Sequence, residues 1–173
     1  DQSLFFPEYH AGERTFQLLS QVAGRTGRGT LGGQVLVQTS LPDHYSVRAA
    51  LTHDFPSFAR RELEERISPS YPPHVRLAKV VFSSPEPEEV AREAESGAGW
   101  LRLRLEAGGG GVEIVGPAPA PIEKLHGRWR WHFLLRSSSA GALGKVLSLF
   151  RDGFQPRGRD VRVIIDRDPV ALL

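Results

Sequence analysis

Residues 129–150 read Trp-Arg-Trp-His-Phe-Leu-Leu-Arg-Ser-Ser-Ser-Ala-Gly-Ala-Leu-Gly-Lys-Val-Leu-Ser-Leu-Phe, and the period of their apolar residues changes partway through. Up to Arg136 the period is two: Trp129, Trp131, Phe133 and Leu135 fall on one side, Arg128, Arg130, His132 and Arg136 on the other. That is a strand with one apolar face. After Ser138 or Ser139, either able to cap a helix, Leu143, Val146, Leu147 and Phe150 recur at i, i+3, i+4 and i+7. That is an amphipathic helix.

Working outward, Val161 to Asp166 closes the chain with a further strand. Upstream, Leu77 to Ser83 reads as a strand, and Pro87 to about Leu105 as a helix with Val90, Ala94, Ala98, Leu101 and Leu105 on one face. Gly97 and Gly99 weaken that helix, since each costs about 1 kcal/mol relative to alanine. Gly108 to Gly111 forms a turn, Val112 to Val115 a short strand, and the proline-laced Pro117 to Pro121 a connector, because proline has no place in a central strand. The resulting order is β-α-β-β-α-β, the split-βαβ or ferredoxin-like arrangement, with two helices on one sheet face and the other face left for a partner.

The first third follows a different plan. Glu13 to Ala23 carries Phe16, Leu19, Val22 and Ala23 at helical spacing and stops at Gly24. A glycine-rich loop leads to an alternating strand, Gln34 to Thr39, then a helix from Pro42-Asp43 to about His53. Asp54 caps another helix through Ile67, ended by Ser-Pro-Ser-Tyr-Pro-Pro at 68–73.

With 173 residues, 40% apolar and 24% charged, the chain is long enough for one ordinary domain or two small ones and has the composition of a soluble, cytosolic protein. It has neither a membrane-length apolar run nor a signal peptide at its start. The lack of cysteine removes disulfides, thiol catalysis and cysteine-ligated zinc; the lack of methionine, at the start included, is expected of a piece excised from a longer protein. Net charge is +2, unevenly spread: residues 1–119 carry 12 Lys+Arg against 15 Asp+Glu, residues 120–173 carry 10 against 5. The basic end is the candidate nucleic-acid surface. All cations but Lys79, Lys124 and Lys145 are arginines, whose forked guanidinium suits phosphate, although a biased genomic composition would also enrich arginine.

The sharpest motif is Gln21-Val-Ala-Gly-Arg-Thr-Gly-Arg28-Gly29. Gln21 and Arg25 share a helix face, and Gly24 and Gly27 let the backbone turn so that Arg28 converges with Arg25. Two converging arginines suit a transferring γ-phosphate. The plainer alternative is arginines answering a helix C-terminus, worth about 0.3–1 kcal/mol. The run resembles motif VI of superfamily 2 helicases. Together with Glu13 to Leu19, Gln34 to Thr39, Pro42-Asp43-His44, Tyr71-Pro72-Pro73, Gly116 to Pro121, Gly127 to Trp131 and Asp166 to Pro169, it resembles the PriA family of primosomal helicases across nearly the whole chain.

That resemblance implies a mixed α/β and α+β molecule: residues 1–53 the end of a RecA-like helicase lobe 2, 54–70 a connecting helix, and 71–173 an S10-like DNA-binding domain. It implies a cytoplasmic, nucleoid-associated replication-restart parent that binds stalled or abandoned forks and single-stranded DNA and unwinds DNA 3′ to 5′ using ATP and magnesium. Gln21, Gly24, Arg25 and Arg28 would be the ATP-facing residues, Arg25 and Arg28 the catalytic ones. The chain itself has no GxxxxGK[ST] phosphate loop and no acidic magnesium motif, so hydrolysis is not expected of it alone; the family's zinc segment would lie upstream. The alternative is a non-enzymatic nucleic-acid or protein docking module of the primosome.

A second signal is the basic-aromatic strand. Trp131, Phe133 and Leu135 read as core, Lys124, Arg128 and Arg130 as phosphate contacts, and Trp129 as a ring able to stack on an unpaired base. The resemblance further implies docking of the acidic C-terminal tail of single-stranded DNA-binding protein, for which Arg136 and Lys145 are the candidates, and contacts with other primosome proteins. Asp166 and Asp168 read as a turn rather than a catalytic pair, and His44, His53 and His74 lack metal-ligand spacing. Gly108 to Gly111 lacks the strand-turn-helix setting of a phosphate cradle.

Overall fold

A computed structural model describes residues 4, 8–26, 34–108 and 111–172. They belong to two compact units, Asp1–Pro69 and Ser70–Leu173, each with its own core.

In the first unit, α1 (Ala11–Thr26), α2 (Tyr45–Leu51) and α3 (Phe55–Glu65) meet at Phe16, Ala50 and Phe58, with Leu19, Tyr45 and Ala49 packed around them. The rings of Phe16 and Phe58 stack with centroids 4.3 Å apart. The Asp54 carboxylate caps α3 by accepting from the Ser57 N–H at 3.0 Å, as its position before an apolar run predicts. Beneath α3 lies a buried ionic knot. Arg66 donates to Glu62 Oε1 at 2.7 and 2.9 Å and to Glu13 Oε2 at 3.0 Å, while the Tyr45 hydroxyl donates to Glu62 Oε2 at 2.8 Å. Segment 54–70, expected to be a connecting helix, thus holds an element packed into this unit's core.

Three expectations are corrected here. First, α1 runs through Gly24 to Thr26, because an exposed glycine lowers helix stability without forbidding continuation. Second, the helix expected from Pro42 starts only at Tyr45, where the His44 ring accepts from the Ser46 N–H. Third, residues 34–39 are not a strand: a strand needs a paired neighbour, this unit has none among the described residues, and Leu36 is left 96% exposed.

The second unit contains β1 (Arg76–Ser84), α4 (Pro87–Gly108), β2 (Glu113–Leu125), β3 (Arg128–Ser137), α5 (Ala140–Gly153) and β4 (Arg162–Arg167). The sheet order is β2-β3-β1-β4, with every neighbouring pair antiparallel. The chain is α+β here, and its element order is the one read from sequence. Val80, Phe82, Phe133 and Leu135 from the sheet pack against Val90, Ala94, Ala98 and Leu101 of α4 and Leu143, Val146, Leu147 and Phe150 of α5. Gly97 allows this approach, since a Cβ there would sit 2.7 Å from Phe82 Cζ. The Ser139 hydroxyl caps α5 by accepting from the Ala142 N–H at 3.2 Å.

The proline stretch departs from expectation. Pro117 to Pro121 lies within β2, which is tolerated because β2 is an edge strand and its register with β3 shifts between Val115 and Ala118 and again between Pro119 and Lys124. His126 and Gly127, at φ 50° and 78°, then close a two-residue hairpin whose left-handed backbone matches the twist of the flanking strands.

Candidate nucleic-acid interface

The alternation along β3 positions the site. Since Trp129, Trp131, Phe133 and Leu135 turn toward the helices, Arg128, Arg130, His132 and Arg136 turn to the helix-free face. By the β-sheet register, Lys79, Val81 and Ser83 of β1 and Arg162, Ile164 and Asp166 of β4 share that face. They enclose a groove of about 360 Å³ whose floor is Val81, Ile164 and Leu125 and whose rim carries Lys79, Arg128, Arg130, Arg162 and His126, with Asp166 the one carboxylate lining it among the described residues.

The cations are held differently. Lys79, only 6% exposed, donates to the Ala171 carbonyl at 2.9 Å, because after β4 the chain turns at Asp168 and crosses this end of the face. The Asp168 N–H anchors that turn on the Leu77 carbonyl at 2.9 Å. Arg128 is fully engaged: it donates to both Asp160 carboxylate oxygens at 2.9 and 3.0 Å, to the Asp160 carbonyl at 2.7 Å and to the Ser83 carbonyl at 2.9 Å. These hydrogen bonds hold the Asp160 carboxyl below the usual carboxylate range. Arg130 makes one long bond, 3.4 Å, to the Ile122 carbonyl, and Arg162 is exposed. Burial, followed by the charges of Lys79 and Arg130, pushes the His132 imidazole below its ordinary value.

The four residues expected to contact DNA are therefore divided by the sheet. Arg128 and Arg130 line the groove. Lys124 pairs in register with Trp129, so both belong to the opposite, helix-side face, where the Lys124 ammonium stands 4.7 Å from the indole centroid. Arg136 pairs with Glu113 at 2.8 Å, whereas Lys145 is exposed on α5, on the other side of the sheet. Gln21, Gly24 and Arg25 are exposed in the last turns of α1, with Arg25 in the final turn; Arg28 lies outside the described residues. Lys79 and Arg162 join the groove without having been singled out from sequence, although the alternation Arg162, Ile164, Asp166 carried the signal. Among the described residues, no cluster of three or more His, Asp or Glu could hold a metal ion, and no helix is long and apolar enough to cross a membrane.

The fold and this face define a small α+β module with a basic, apolar-floored groove on the helix-free side of an antiparallel sheet. The profile of the Primosomal protein N C-terminal domain matches residues 68–170, and the chain belongs to that family. All of it aligns with the replication restart protein PriA of Bacillus subtilis at 33% identity, covering 21% of that protein. All of it likewise aligns with that of Treponema pallidum at 36%, covering 26%. Haemophilus influenzae PriA is 32% identical over 98% of the chain, which covers 23% of that relative. The chain thus spans about a fifth to a quarter of the length of these relatives. Among solved structures, the de novo designed protein Foldit4 covers 55% of the chain and matches over 97% of its own length with a TM-score of 0.39 and 11% identity.

Proposed function

We propose that this chain is the docking portion of a cytoplasmic replication-restart protein, binding single-stranded and forked DNA through the helix-free face of its second unit. The observation that carries this reading is the groove rimmed by Arg130, Arg162 and His126 over Val81, Leu125 and Ile164: cations for phosphate beside apolar ground for a base or sugar. The antiparallel sheet order and the two helices on one face support reading this unit as a ferredoxin-like, S10-like domain. Membership of the primosomal family, and relatives named replication restart proteins, support the setting.

In this reading the parent protein is the ATP-dependent 3′ to 5′ helicase, and Gln21, Gly24, Arg25 and Arg28 of this chain reach toward ATP and magnesium held by residues elsewhere in the parent. The exposure of Gln21 and Arg25, one turn apart, supports that role. Arg136 and Lys145 remain the candidates for the acidic tail of single-stranded DNA-binding protein, as two separate contacts on opposite sides of the sheet. Other primosome proteins remain partners in this reading, and zinc belongs to an upstream segment of the parent.

The test is binding of fluorescent single-stranded and forked DNA at several salt concentrations, alongside an ATPase assay. Affinity should fall steeply with salt while no ATP is turned over. Arg130→Ala combined with Arg162→Ala should weaken binding of all sequences and flatten the salt slope by about one unit per lost phosphate contact. Unchanged affinity in that double variant would remove the groove from the DNA site.

A further inference from the structure

Residues 154–161, between α5 and β4, form a loop gripped from two sides. On one side the Glu93 carboxylate of α4, 9% exposed, accepts from the backbone N–H groups of Arg157 and Gly158, each at 3.1 Å. On the other, Arg128 holds both the carboxylate and the carbonyl of Asp160. Between the grips the backbone sits so close to its neighbours that a Cβ on Gly158 would stand 2.5 Å from Val161 Cγ2 and 2.8 Å from the Glu89 carboxylate. The loop carries Arg157 and Arg159, both exposed, and runs directly into exposed Arg162. Asp160, the acid that would offset them, already has its charge answered by Arg128.

We propose that this loop is a preformed contact for nucleic-acid backbone phosphates at the border of the groove, with Arg157 and Arg159 as the contacting cations and Glu93 and Arg128 as positioning residues. The proposal rests on the groove being the nucleic-acid face, and it adds a second contact zone and the means by which it is held. Cations on a backbone fixed beforehand lose less freedom on meeting phosphate than cations on a loose loop. Their contacts carry no base information, so they serve any sequence. Arg128 accordingly acts through Asp160, its donors being occupied within the protein. Sequence reading expected it to touch phosphate itself.

The experiment titrates a fluorescent oligothymidylate with the whole 173-residue chain and its variants over a range of salt. Arg157→Ala with Arg159→Ala should weaken binding about tenfold and lower the salt slope by about one and a half units, and the double lysine variant should restore most of both. If the loop variant binds like the parent chain while Arg130→Ala with Arg162→Ala weakens binding, the loop proposal falls and the groove reading stands. If neither variant weakens binding, both fall.

The positioning role has its own readout. Asp160→Asn deletes a negative charge and would tighten binding if net charge alone mattered; positioning requires weaker binding, with faster amide exchange at Arg157 and Gly158. It also requires that Asp160→Asn add nothing in the loop-alanine background. Tighter binding, or an additive effect, would overturn the positioning role.

Discussion

Arg66 and Glu62 show how one buried pair governs the first unit. At 8% and 6% exposure both are nearly sealed, and their bonds leave little of either charge unanswered. Taking two ions from water is costly, so the pair adds little net stability, yet removing one partner strands the other. Arg66→Ala should destabilise the first unit by about 3–5 kcal/mol, measurable as a drop in its denaturant midpoint. His132 poses the converse problem in the sheet. Unfolded, its ring titrates near 6.5; folded, burial and the nearby Lys79 and Arg130 push it lower. Between those two values the unfolded chain binds more protons, so stability is full above 6.5 and falls as pH drops through that window. His132→Gln should therefore make the melting temperature of the second unit less dependent on pH between 7.5 and 5, as followed by circular dichroism.

Helices α3 and α5 begin where a capping oxygen precedes an apolar run, which is why Asp54 and Ser139 mark their starts so cleanly. Asp54→Ala should cost about 1 kcal/mol of stability, read from chemical denaturation. α4 follows a different logic: its glycine at 97 sits mid-helix because the ring of Phe82 occupies the space a side chain would need. Gly97→Ala should cost about 1–3 kcal/mol despite the better helix propensity of alanine, since the helix must lift off the sheet. An unchanged or raised melting temperature in that variant would show that the contact yields freely. In β2, edge position and two register shifts let prolines lie in a strand that a central position would exclude.

For the molecule as a whole, the two cores share no residue: Phe16, Ala50 and Phe58 make one, and the sheet with α4 and α5 makes the other. Residues 70–173 expressed alone should therefore unfold cooperatively at nearly the melting temperature of the second transition of the full chain, by calorimetry. A shortened chain that melts broadly or aggregates would mean that the second unit leans on the first. The same division assigns the two candidate regions to separate units, Gln21 to Arg25 at the end of α1 to one and the basic sheet face to the other.

By itself the sequence determined the strand and helix order of residues 77–166, because each element has one apolar face whose period of two or about 3.6 is written into a short local run. It also determined which β3 residues face the helices and which face away, since alternation is a property of the strand alone. Whether Gln34 to Thr39 becomes a strand was decided elsewhere, because pairing is a property of the neighbour. Only the tertiary structure revealed that Arg128 is taken up by Asp160, that Lys124 joins Trp129 on the face opposite Arg130, and that Glu93 steadies a loop more than sixty residues away. Side-chain partners distant in sequence leave no periodic trace, and an arginine reads the same along the chain whether its guanidinium is engaged inside the fold or turned to solvent.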